Sequence, residues 1–171
     1  MGITSISKSE TTSTMSEPVL HPELIINYAP TLDLRIALAE VRSFGNVSAP
    51  EYRFELSCHV RHAMRTLQYR DPRVFFDLSA IQTFMKQLKG MQQGTMRQAA
   101  LTDPGNMVVF RLESNPPTLL ATLDIREFLP PSSFTLHERQ EVDFDLFVNK
   151  LCANVEQFFD DIRQLKPSTQ E

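Results

Sequence analysis

The sequence predicts an α+β domain: a mostly antiparallel β-sheet of about six to seven strands, with one face covered by two α-helices at about residues 77–91 and 143–165. Three observations carry this. Several runs of strand length alternate apolar with polar residues, two longer stretches repeat their apolar residues every three or four positions, and the connectors are short and rich in turn formers. With 171 residues, 42% hydrophobic and 22% charged, the chain has enough material for one buried core and lies outside disordered and collagen-like compositions.

In the first sixteen residues nine are Ser or Thr, so residues 1–20 read as a disordered tail with no apolar stripe to fold around. That stretch has neither the apolar run of a secretory signal nor the Arg-rich pattern of a transit peptide, and Ile6 stands where a myristoylation signal wants Ser or Thr. The expected address is the cytoplasm, with Met15 as an alternative start to Met1. No run reaches the roughly 18 apolar residues of a membrane span. Residues 21–50 are expected to be a lead-in, through Leu24-Ile25-Ile26, and a first strand, and residues 51–166 to form the core of a single domain together with 32–50.

Order is expected to begin at Leu32, where Leu32, Leu34, Ile36 and Leu38 alternate with Asp33, Arg35 and Ala37. The cleanest strand follows, with Tyr52, Phe54, Leu56, Cys58 and Val60 on one face and Arg53, Glu55, Ser57, His59 and Arg61 on the other. A short strand at Arg65 to Tyr69 returns from it, ended by Asp71-Pro72, since the residue before proline is turned away from the helical region. Asp77 is placed to cap a helix carrying Leu78, Ile81, Phe84, Met85 and Leu88, with Gly90 and Gly94 as its stop. Four strand-like runs come next, Met96 to Leu101, Met107 to Glu113, Leu119 to Phe128 and Phe134 to Val142. Asp143 then opens a long helix whose stripe is Leu146, Phe147, Leu151, Val155, Phe158, Phe159, Ile162 and Leu165.

Catalytic and metal chemistry find little to stand on. Cys58 and Cys152 fall on apolar faces and read as small buried hydrophobes, while His59 and His62 lie three apart, on opposite strand faces. No Cys-x-x-Cys, His-Glu-x-x-His, phosphate-cradling glycine loop or Gly-x-Ser-x-Gly turn occurs. No enzyme activity, cofactor or metal is expected.

Charge is unevenly spread. The chain carries 17 Lys and Arg against 21 Asp and Glu, which argues against a domain-wide grip on nucleic acid. Residues 51–100 hold eight basic against four acidic residues, and residues 101–171 six against twelve. Arg61, Arg65, Arg70 and Arg73 crowd the first hairpin, yet no aromatic groups are interleaved with them for stacking. The expected partner is therefore a basic protein, met by an acidic surface at Glu138, Glu141 and Asp145, with no nucleic acid and no membrane involved.

From Tyr52 to Leu165 the layout resembles bacterial immunity-protein families of the WapI type: paired strands ending in Asp71-Pro72, a helix with the stripe Leu78-Ile81-Phe84-Leu88, further strands, and a closing amphipathic helix from Asp143 to Leu165. The resemblance implies a non-catalytic, protein-binding module that neutralises a cognate toxin without a cofactor. A secretion-chaperone-like protein that binds an effector is the alternative, and an enzyme using scattered acids the third. Removing Met1 to Ser16 is expected to leave the melting temperature of the rest essentially unchanged in a thermal unfolding scan.

Overall fold

The computed structural model describes residues 21–28, 32–43, 50–62, 65–105, 108–115, 118–128, 131–141, 143–165 and 168–169, so the expected Ser/Thr-rich tail lies outside the described residues. The elements are β1 (Glu23–Tyr28), β2 (Leu32–Ser43), β3 (Glu51–His62), β4 (Arg65–Phe75), α1 (Leu78–Gln92), β5 (Gln98–Thr102), β6 (Val108–Asn115), β7 (Thr118–Phe128), β8 (Pro131–Glu141), α2 (Phe144–Gln164) and β9 (Ser168–Thr169). The class is α+β, as expected, and both helices fall within a residue of their expected bounds.

The strands divide into two sheets rather than one. The first runs β1-β2-β3-β4 in antiparallel order, with β9 added in parallel beside β2, and the second runs β5-β6-β7-β8 in antiparallel order. Short hairpins explain the order within each sheet. Helix α1 separates β4 from β5, and strand periodicity says nothing about whether the chain re-enters the same sheet after a helix.

Each sheet buries its apolar face against one helix. Phe54 of β3 meets Phe158 of α2 at 5.9 Å between ring centroids, and Phe84 of α1 meets Phe110 of β6 at 6.2 Å. The two helices pack on each other, joined by the Lys89–Glu156 ion pair and a hydrogen bond from Gln92 to Asn149. Both apolar faces and the helix stripes thus merge into one core cluster. The sheets also touch directly, since the buried Tyr28 hydroxyl of β1 donates to the Leu119 carbonyl of β7.

Several local expectations change. Alternation already begins in β1, where Leu24, Ile26 and Tyr28 are buried and Glu23, Ile25 and Asn27 face out. Asp71-Pro72 does not end β4: Leu56 pairs with Asp71 and Phe54 with Val74, so two residues of β4 oppose one of β3 in a bulge at Pro72 and Arg73. A proline, having no N–H to give the ladder, is accommodated at such a bulge on an edge strand. Asp77 is the N-cap of α1 but makes no side-chain cap bond, whereas Asp143 accepts from Leu146 N at 3.1 Å. Gly90 does not stop α1. It lies inside the helix where a Cβ would come within 2.9 Å of the Met96 side chain, and the reversal falls to Gly94 at φ 71°. Leu146, expected in the α2 stripe, is 67% exposed.

Tyr28→Phe keeps the ring and removes the donor that joins the sheets. It is expected to cost about 1 kcal/mol, read as a lower denaturation midpoint in urea with an unchanged slope.

Candidate functional site

The outer face of the first sheet carries the most developed surface feature. Because β1 to β3 bury alternate residues and β4 pairs with β3 in register, the residues between the buried ones line up across the four strands: Glu23, Ile25 and Asn27 on β1, Asp33 and Arg35 on β2, Arg53, Glu55, Ser57, His59 and Arg61 on β3, and Gln68 and Arg70 on β4. A concave groove of about 600 Å³ runs over this face. Ile25, Asn27, Asp33, Arg35, Ser57, His59, Gln68 and Arg70 line it, and Leu34, Cys58 and Tyr69 complete its floor.

Among the described residues five arginines stand on this face, each beside a carboxylate. Arg35 Nε lies 3.0 Å from Glu23 and Arg61 Nη2 3.2 Å from Asp33. Arg70 grips Glu55 through both fork nitrogens at 2.8 Å. Arg42 Nε lies 2.7 Å from Glu40, and Arg53 Nη1 is 3.6 Å from the same carboxylate. The Arg70 hydrogen bonds hold the Glu55 carboxyl below its ordinary value and push the Arg70 guanidinium above its own. The Arg35, Arg61 and Arg70 pairs are open to water, with the Arg70 side chain 70% exposed, so each contributes little to stability and is open to exchange with an incoming anion.

The thiols play no part in this chemistry. Cys58 points inward beneath the groove, 3% exposed, and burial first and the Asp33 charge second push it up to about 12. Burial likewise raises Cys152. Among the described residues no three His, Cys, Asp or Glu side chains are grouped to share a metal ion, and no helix is long and apolar enough to cross a membrane.

Of the expected acidic surface, Asp145 is exposed in the first turn of α2. Glu138 and Glu141 pair with Ala121 and Thr118 across β7 and β8, and their side chains lie outside the described residues. All three belong to elements other than the strands of the groove. The sequence reading missed Ile25, Asn27 and Arg35 as neighbours because it passed over β1. The alternation of Leu24, Ile26 and Tyr28 was the available signal, blurred by an isoleucine at the outward position 25.

No protein-family model matches the chain, and no curated protein matches its sequence. Solved structures similar to it include the plant transcriptional regulator PBF-2, at 11% identity and TM-score 0.42 over 90% of this chain and 99% of that one. Trypanosoma brucei MRP1/MRP2 follows at 12% identity and TM-score 0.42, over 84% and 88%. WHY3 from Arabidopsis thaliana is at 11% identity and TM-score 0.42, over 87% and 97%. PBF-2 is described as a transcriptional regulator, and none of these three is described as a toxin-neutralising protein or a secretion chaperone. On that finding the expected toxin-binding or effector-binding function, and the exclusion of a nucleic-acid partner, are corrected. The physical reason is that a net charge averaged over the whole chain does not exclude a local surface of arginines.

Native Cys58 is expected to resist a thiol reagent at pH 8 and to react only after denaturation. Its raised value also predicts alkaline loss of stability. The stabilisation is fully present below about 9, the ordinary thiol value, and is lost as pH rises toward about 12, because the unfolded thiol ionises first. Urea midpoints measured across that range check the sign.

Proposed function

We infer that this protein is a non-catalytic binder of single-stranded nucleic acid, acting in the cytoplasm and laying the strand across the outer face of the β1 to β4 sheet. The groove carries this reading. Within it two guanidinium groups, Arg35 and Arg70, stand among Asn27, Ser57, His59 and Gln68, a set of donors suited to phosphate and to the polar edges of bases.

Single strands fit better than duplex. Reading a duplex through its major groove takes a protruding helix or ribbon, whereas α1 and α2 both turn their apolar faces into the core. A sheet face instead offers an open platform to a flexible strand. The Arg70 fork, held by Glu55, is already arranged for a bidentate acceptor, and a phosphate replaces that carboxylate like for like. Because the chain as a whole is acidic, the salt-dependent part of the affinity comes from a few groove arginines rather than from a general field.

Fluorescence anisotropy with labelled single-stranded DNA and RNA, against duplex of equal length, tests the reading. Arg35→Ala with Arg70→Ala is expected to weaken single-strand binding about tenfold or more and to shallow the salt dependence by about 0.7 in log–log slope per lost phosphate contact. Glu55→Gln, which releases Arg70, is expected to strengthen binding. Absence of single-strand binding at low salt, or wild-type affinity in both variants, overturns the reading.

A further inference from the structure

We propose that Arg53 and Phe75 form a stacking platform for one base of the bound strand. The proposal rests on the nucleic-acid reading of this face and adds a base-contacting site to its phosphate-contacting groove.

Phe75 reaches the outer face because of the bulge at Pro72 and Arg73. Asp71 is opposite the inward Leu56, and without the extra residue Phe75 would have the same inward parity. With it, Val74 turns in opposite Phe54, and Phe75 turns out opposite Arg53. An apolar ring is thereby delivered to a polar face, beside a groove whose floor holds Tyr69.

Arg53 differs from its neighbours. Its guanidinium carbon lies 5.3 Å from the Phe75 ring centroid. Its paired carboxylate oxygen is 3.6 Å away on Glu40, which already stands 2.7 Å from Arg42, whereas Arg35, Arg61 and Arg70 have carboxylates at 2.8 to 3.2 Å. Its Nε is buried and has no hydrogen-bond acceptor among the described residues. The plane is therefore positioned chiefly by the ring beside it. A guanidinium resting on an aromatic ring suits a nucleobase, which stacks on such a plane. A phosphate alone would use the charge and leave Phe75 without a role. Arg53 stands four residues from Ser57 along β3, about 13 Å at the strand rise, within reach of a short oligonucleotide whose phosphates occupy the groove.

The test compares oligo-dT with an abasic oligonucleotide of equal length. Phe75→Leu keeps apolar bulk without an aromatic face, and Arg53→Lys keeps the charge without the plane. Circular dichroism verifies that each is folded. Both are expected to lose about tenfold affinity for oligo-dT and to bind the abasic strand as wild type does, while Arg35→Ala with Arg70→Ala weakens both strands. If Phe75→Leu and Arg53→Lys bind oligo-dT like wild type, or lose equally on both strands, the platform is refuted while the nucleic-acid reading stands. If wild type binds neither strand, that reading fails and the platform with it.

Discussion

Everything in this fold depends on two sheets sharing one pair of helices. Each sheet has a single apolar face, and a lone sheet of this kind would leave that face in water. Helix α2 covers the first sheet through Phe158, α1 covers the second through Phe84, and the helices close on each other. Neither half completes its core alone. The Tyr28 to Leu119 hydrogen bond sits where the two apolar faces converge, and it ties the edge strand of one sheet to an interior strand of the other.

This arrangement leaves the outer faces free for function. On the first sheet the freedom is taken up by arginines interleaved with carboxylates, so that the face is nearly charge-balanced despite holding the groove. A surface of this kind stays soluble and discriminates: an anion must present geometry that a carboxylate already satisfies, as at Arg70, before it displaces one. The rigidity of the strands beneath holds these side chains in register, and the buried Cys58 anchors the same strand from its other side.

Much of the fold was legible from periodicity. The alternation over Tyr52 to Arg61 and the stripes of α1 and α2 are strong because burial on one face only writes a period of two or of 3.6 into the sequence. What escaped lay where a second constraint intervened. Ile25, an apolar residue at an outward position, masked β1. Asp71-Pro72 read as a terminator because local backbone preference points that way, while the cross-strand ladder tolerates the proline by bulging. The division into two sheets is a tertiary property that no local pattern records. The groove was half legible: Arg70 was recognised, but its grouping with Arg35 and Asn27 needed the β1-β2-β3-β4 order, and the outward turn of Phe75 needed the bulge.

One edge of the second sheet is partly capped by a side chain. At β5 the Ala100 amide donates to Gln87 of α1 at 2.8 Å, so a helix supplies an acceptor that a neighbouring strand would otherwise provide. Integrity of α1 and resistance to aggregation are therefore coupled. Fraying of that helix bares a β-edge and the apolar residues behind it in one event, making edge-to-edge self-association during heating or refolding sensitive to helix-stabilising substitutions on the exposed side of α1, far from any binding surface.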